Sequence, residues 1–175
     1  MKINKPFNQL QKEEYLYFIE NHKQYSDFNT LGLYRSLLEN EQLTIADKTE
    51  IRDFAHQYFQ KTFDFLQLKD PLTYLKVVHL ETELTQQEEF AFWEIIRENQ
   101  EKILKDKKIK HRNFGVYAKH NCGYDHCPYN GLMIKQGSRL AESCMFFRSD
   151  RNRDEKKNKV KRLAKEQRDF KNKQK

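Results

Sequence analysis

Glycine and proline are scarce in this chain, with only 5 and 3 residues among 175. A sandwich or barrel of many short strands needs frequent turns, and these two residue types make many of them. Their scarcity argues against such folds and favours helices.

Long apolar runs are also missing. The longest, residues 15–19 and 90–93, are far shorter than the roughly 20 residues that cross a bilayer. The first residues are likewise not followed by an apolar stretch of secretory-signal length. These absences predict a cytoplasmic protein without a transmembrane segment.

Cysteine is rare and unevenly placed. The chain has three, Cys122, Cys127 and Cys144, all in its rear part. An odd number in one cluster does not fit a framework of disulfides, so a reducing compartment is expected.

The net charge of +7 is divided between two parts of the chain. Residues 1–106 contain 13 Lys and Arg against 19 Asp and Glu, whereas residues 107–175 contain 20 basic and 7 acidic side chains. Segregation of this kind creates a local positive potential that concentrates polyanions. RNA or DNA is therefore the expected partner of the rear half.

The acidic front carries helical periodicity. Although hydrophobic residues make up only 37% of the chain, 13 Phe, 9 Tyr and one Trp supply large rings for a core. Apolar side chains recur three and four positions apart in about five successive segments, the last of which ends near Asp106. The clearest stripe consists of Ile51, Phe54, Ala55, Tyr58, Phe59, Thr62, Phe63 and Leu66.

Helix starts are predicted from capping residues. Ser26 or Asp27 would cap the second helix, and Thr44 the third. Asp70 followed by Pro71 would open a short fourth segment, in which two adjacent valines leave a strand as the alternative. The run 85–88, Thr-Gln-Gln-Glu, matches a capping box for the fifth helix.

The amino-acid composition changes at Lys107, because four of the five glycines of the chain follow this residue. Residues 107–149 are predicted to form a small loop-rich basic module with short strands at 114–117 and 144–148. Residues 150–175 hold 12 Lys and Arg against 5 acids and form a basic tail, disordered or a single helix. The expected fold class is mainly α: a compact helical domain over 1–106, then this module and tail.

The run 120–131, His-Asn-Cys-Gly-Tyr-Asp-His-Cys-Pro-Tyr-Asn-Gly, gathers imidazoles and thiols. Zinc prefers these ligands. A small module with little apolar content also needs an additional stabilising link, such as a structural metal ion. The predicted metal ligands are Cys122, Cys127 and Cys144, with one of His120, His126 or His111. Because the Cys-x4-Cys spacing departs from the usual Cys-x2-Cys pair, the alternative is that the thiols are small buried hydrophobes and the histidines surface residues.

Basic and aromatic residues alternate in the rear half. Cations hold phosphates, and exposed rings stack on unpaired bases, so the alternation suits RNA or single strands. The alternative is a small aromatic core whose lysines are merely solvated. The predicted nucleic-acid contacts are Lys107, Lys108, Lys110, Arg112, Phe114, Tyr117, Lys119, Tyr124, Tyr129, Lys135, Arg139, Arg148, Arg151 and Arg153.

The resulting functional hypothesis is a non-enzymatic nucleic-acid-binding accessory protein. One rival is a protein-interaction module, an inhibitor or adaptor, that uses the acidic helical domain. Another is a metal-dependent nuclease that would draw on His111, His120, Asp125, His126 and Asn130. Arg52 and His56, one helical turn apart, are better explained as a surface basic pair than as a catalytic one, and the tail has too few apolar residues for a membrane-surface helix.

Overall fold

A computed structural model of the chain describes residues 1–106, 117–121, 124, 126–142 and 160–165. Over these residues the fold is mainly α-helical, as the sequence predicts. The elements are α1 (Lys12–Glu20), α2 (Thr30–Glu39), α3 (Ile45–Asp64), α4 (Leu66–Lys69), α5 (Pro71–Val78), α6 (Gln86–Lys105), β1 (Tyr117–Lys119), β2 (Met133–Lys135) and α7 (Arg139–Glu142). Short 3-10 helices cover Phe7–Gln9 and His22–Gln24, and residues 160–165 are helical. None of the helices in these ranges has the length and apolar character needed to cross a membrane.

Side-chain caps set the starts of the long helices. Thr44 and Thr85 each open a capping box, in which the threonine hydroxyl accepts a backbone N–H and a carboxylate three residues later accepts the N–H of the threonine. Both caps were predicted. The cap of α2 is Asn29 instead of Ser26 or Asp27. The carboxylate of Asp27 accepts the backbone N–H of Ile3 and so ties down the N-terminal segment.

The short helix α5 begins at the predicted proline. Pro71 occupies the first turn, where its missing N–H costs no hydrogen bond. The helix continues to Val78, so the alternative of a strand at the two valines is wrong.

The first core cluster lies between α1, α2 and α3. The predicted stripe of α3 faces it, with Ile51, Ala55 and Phe63 buried, whereas Tyr58 at the edge is 44% exposed. The buried members are Leu10, Tyr15, Ile19, Leu33, Tyr34, Leu37, Ile51, Ala55, Phe59, Phe63, Leu66 and Val77.

The second core cluster joins the helical front to a β-hairpin. Strands β1 and β2 pair antiparallel, with Ala118 opposite Ile134. The buried members of this cluster are Leu75, Trp93, Ile96, Leu132, Ile134 and Leu140. Helices α5 and α6 therefore bury part of their apolar surface against residues that follow position 130.

A buried glutamine of α6 fixes the hairpin in place. The amide of Gln100 donates to the carbonyls of Gln67 (2.7 Å) and Met133 (2.9 Å) and accepts the N–H of Met133 (2.7 Å). One side chain thus pairs with β2 as a neighbouring strand would. The register of β2 against the helices is set by these bonds.

Part of the rear module therefore forms regular secondary structure, which its loop-rich composition does not indicate. Of the predicted strand over 114–117, Tyr117 begins β1 and residues 114–116 lie outside the described residues; β2 and α7 were not predicted. The predicted strand over 144–148 lies outside the described residues.

Candidate nucleic-acid interface and Cys/His loop

The hairpin presents two lysines on its outer face. Side chains alternate across a strand, so Ala118 and Ile134, both buried, face the core, and their neighbours Lys119 and Lys135 lie on the other face. Both lysines belong to the predicted set of nucleic-acid contacts. The hairpin therefore holds two of the predicted cations on one surface.

Lys135 lies near a second lysine at the end of α4. Burial lowers the pKa of Lys69, and the positive charge of Lys135 lowers it further. Helix α4 packs on β2, so the two lysines belong to adjoining elements. Lys69 is thus a further cation close to the hairpin.

Lys119 borders a cleft between α6 and the loop of the hairpin. The cleft has a volume of about 470 Å³ and is lined by Glu94, Arg97, Glu98, Glu101, Lys119, Asn130 and Gly131. Gly131 has a φ of +85°, and an added Cβ would lie 3.4 Å from Cδ of Arg97 and 3.8 Å from Cε of Lys119. Two cations thus flank the glycine, but carboxylates of α6 share the cleft.

The two described tyrosines of the loop differ in exposure. Tyr124 is 75% exposed, so its ring can stack on a base. The ring of Tyr129 packs edge-on against Trp93, with centroids 5.2 Å apart, and burial raises the pKa of its hydroxyl. Tyr129 therefore contributes to the second core cluster.

Arg139 binds a carboxylate of the helical front. Its guanidinium donates to Glu39, and its backbone N–H donates to Asp70 at 3.2 Å. Part of the positive charge predicted to face a polyanion is thus paired within the molecule.

The Cys/His loop, defined as residues 120–131, follows β1 and leads to β2. His120 directly follows β1, and its backbone N–H donates to Leu132 at 2.8 Å, while Gly131 donates back to His120 at 2.9 Å. Nε2 of His120 lies 3.4 Å from Sγ of Cys127. Burial lowers the pKa of His120 and so favours the neutral imidazole, which is the form that binds metals.

Two of the six candidate metal ligands, His120 and Cys127, are thus brought together. His126 is exposed, and Cys122 and Cys144 lie outside the described residues. Within the described part of the chain, no group of three or more His, Cys, Asp or Glu side chains is arranged to hold a metal ion. Other predicted site residues also lie outside it, namely Lys107, Lys108, Lys110, His111, Arg112, Phe114, Asp125, Arg148, Arg151 and Arg153; of Tyr117 only the backbone is described.

The helical front carries a groove of opposite charge. It lies beside α1 and α3, has a volume of about 650 Å³, and is lined by Leu16, Ala46, Thr49, Glu50, Asp53, Phe54, Gln57 and Glu81. Its lining includes the apolar side chains of Leu16 and Phe54, and its charged residues are all acidic. Two of these are paired, Glu50 with Lys12 at 2.6 Å and Asp53 with Arg52 at 2.8 Å. The buried hydroxyl of Thr49 has no hydrogen-bond partner among the described residues.

Several residues of this surface carry no signal in the sequence. Lys69 and Arg97 belong to helices of the acidic front. From positions distant in the chain, Gln100 reaches β2 and Asp70 reaches the start of α7. Only the tertiary structure places them beside the rear module.

Comparison of the chain with models of protein families, with curated proteins and with solved structures finds no match.

Proposed function

We propose that the protein binds RNA or other single-stranded nucleic acid through the outer face of the hairpin and the basic residues of the rear half, without acting as an enzyme. The observation that supports this most is the position of Lys119 and Lys135 on the outer face of the hairpin, with Lys69 on the helix that packs against β2. Cations of this kind bind the phosphates of a nucleic-acid backbone. The exposed ring of Tyr124 lies on the loop of the same hairpin and adds a stacking surface.

The charge distribution supports the same proposal. Of the 20 basic residues after position 106, Lys119 and Lys135 lie on the outer face of the hairpin, whereas the surplus of carboxylates belongs to the helical front. The negative charge of the helical front repels a polyanion, and the positive charge of the rear half attracts it. The front then supplies a scaffold for the hairpin.

The test is a fluorescence-anisotropy titration of labelled single-stranded RNA at several salt concentrations, with duplex DNA in parallel. We expect affinity for single-stranded RNA to fall steeply with salt, and the RNA to be recovered intact. Substituting Lys69→Gln and Lys135→Gln together should reduce the log-log salt slope by about 1.4, because each phosphate contact contributes about 0.7 on a single strand.

The matched control removes two lysines from the surface of the helical front. Lys23→Gln with Lys61→Gln changes the net charge equally, and both residues are exposed. Its salt slope should equal that of the wild type. A titration that stays flat at low salt, or equal slopes for the two double variants, contradicts the proposal.

The acidic groove beside α1 and α3 favours a second candidate function, the binding of a basic segment of a partner protein. Apolar and acidic residues line the groove together, which suits a cationic amphipathic peptide that replaces Lys12 and Arg52 as partner of Glu50 and Asp53. A partner that co-purifies after nuclease treatment should be lost with Glu50→Lys and Asp53→Lys but retained with Lys69→Gln and Lys135→Gln. Retention of the partner by the groove variant contradicts this second candidate.

A further inference from the structure

We propose that the acidic groove beside α1 and α3 binds the basic tail of the same chain through residues 160–165. These residues are helical and are called the tail helix. The proposal rests on the groove described for the second candidate function and names the segment that occupies it. The contact engages cations that the proposed function assigns to nucleic acid.

The tail helix leaves its apolar side chains uncovered. Val160 is 64% exposed and Leu163 is 45% exposed, and their spacing of three positions places them on one side of the helix. The same helix carries the cations Lys161, Arg162 and Lys165. A helix this short is marginal in water, and packing of its apolar side against another surface stabilises it.

The groove has the complementary composition. Leu16 of α1 and Phe54 of α3 are half-buried and supply apolar contact. All charged residues of the lining are acidic, and Glu81 among them is exposed and forms no ion pair within the described part of the chain. Apolar contact and negative charge together are what a cationic amphipathic helix binds in a groove.

The ion pairs already present in the groove do not oppose this binding. Glu50 and Asp53 pair with Lys12 and Arg52, but the two carboxylates are 58% and 59% exposed. Pairs as exposed as these contribute little to stability, and a carboxylate accepts hydrogen bonds from more than one donor. A cation of the tail helix therefore joins or replaces the present partner at little cost.

The tail begins close enough to reach the groove. Helix α7 packs on α5, and Arg52 of α3, beside the groove, donates to the carbonyls of Val77 and Val78 at the end of α5, both at 3.4 Å. Two helix spacings of about 10 Å and the length of α5, about 12 Å, put the groove within about 35 Å of α7. Residues 143–159 connect α7 to the tail helix and extend to at most about 60 Å. Such a connection gives the tail helix a high effective concentration at the groove.

The experiment places the photo-reactive residue benzoylphenylalanine in the full chain, either at Gln57 of the groove or, as a control, at Gln87 of α6; both positions are exposed. After irradiation, mass spectrometry should find cross-links from position 57, but not from position 87, to a peptide that contains residues 160–165. Val160→Asp with Leu163→Asp should lower this yield about tenfold, because burial of one large aliphatic side chain alone contributes at least that factor. Neither residue belongs to a core cluster, so the helical front stays folded.

A matched pair of charge variants tests the acidic residues. Glu50→Lys with Asp53→Lys should lower the yield, whereas Glu13→Lys with Glu41→Lys, at exposed positions outside the groove, changes the net charge equally and should keep it. Equal yields for the two double variants overturn the proposal, as does a yield that the tail variant leaves unchanged.

The remaining outcomes separate the occupants of the groove. Cross-links found only between isotopically labelled and unlabelled copies make the occupant a second copy and overturn the intramolecular contact. Absence of any cross-link to the tail also overturns it and leaves the groove to a basic segment of another protein. RNA binding is measured separately, so a chain that cross-links to its tail but leaves RNA unbound upholds the contact and removes only the proposed function.

Discussion

Arg35 donates two hydrogen bonds to one oxygen of the fully buried carboxylate of Asp70, at 2.8 Å from Nε and 2.5 Å from a terminal nitrogen. The same guanidinium donates to the carbonyl of Gly137 at 2.8 Å, and the other oxygen of Asp70 accepts the backbone N–H of Arg139. The ion pair therefore joins α2, the start of α5 and the segment after the hairpin.

Breaking this pair should cost more stability than breaking a surface pair. We expect Asp70→Asn to lower the free energy of unfolding by about 3 kcal/mol, near the low end for a buried pair because Arg35 is 25% exposed. Chemical denaturation measures the change. The control is Asp53→Asn, whose carboxylate pairs with Arg52 but is 59% exposed, and which should change stability by less than about 0.5 kcal/mol. Equal losses for the two variants would contradict a special role for Asp70.

Gln100→Ala should loosen the hairpin. The substitution leaves the carbonyl of Gln67 and both backbone groups of Met133 without their partner, which should cost at least about 3 kcal/mol. Hydrogen exchange at the amide of Met133 should become faster. Gln87→Ala, at an exposed position of the same helix, should leave stability within about 0.5 kcal/mol. Slow exchange at Met133 in the Gln100→Ala variant would show that the side chain does not hold β2.

His56 should make stability depend on pH. Burial lowers the pKa of His56, and the charge of Arg52 lowers it further, so below about pH 6.5 the unfolded chain binds a proton that the folded chain binds less readily. The free energy of unfolding should then fall as pH decreases from 7 to 5.

His56→Phe should remove this component. The ring of His56 lies 4.3 Å from that of Phe63 between centroids, and its buried Nε2 has no hydrogen-bond partner among the described residues, so phenylalanine suits the site. Denaturation midpoints between pH 5 and 7 should vary less in the variant than in the wild type. Parallel curves would show that His56 does not contribute.

Substitutions of the two loop tyrosines should have different effects, one on RNA binding and the other on stability. Tyr124→Ala should weaken binding of single-stranded RNA by about 1 to 3 kcal/mol, the contribution of one stacked base, and leave stability unchanged because the ring is exposed. Tyr129→Ala should lower stability by about 2 kcal/mol, since its ring packs on Trp93. Anisotropy titration and thermal denaturation of both variants measure the two effects. An unchanged affinity for Tyr124→Ala would remove the stacking contribution.

Local signals predicted the helices well because helices depend on neighbours in the chain. The capping boxes at Thr44 and Thr85, the proline at the start of α5 and the stripe of α3 all lie within a few residues of the structure that they determine. The misplaced start of α2 has a tertiary cause, because Asp27 binds the backbone of Ile3 across 24 positions.

The hairpin and its surroundings could not be predicted in the same way. Its strands have three residues each, too few to show alternation. Gln100 holds β2 across 33 positions of sequence, and Asp70 holds the start of α7 across 69. For the candidate site, the sequence identified Lys135 and the Cys/His run but not Lys69, which the packing of α4 on β2 places near the hairpin. Zinc binding and nucleic-acid binding stay predictions.

The composition of the second core cluster has a consequence for synthesis on the ribosome. Trp93 and Ile96 emerge from the exit tunnel before Leu132, Ile134 and Leu140, which cover them in the finished protein. The nascent chain therefore exposes an apolar side of α6 until the hairpin has been translated. During that interval, a chaperone that recognises apolar surface would bind this side of α6.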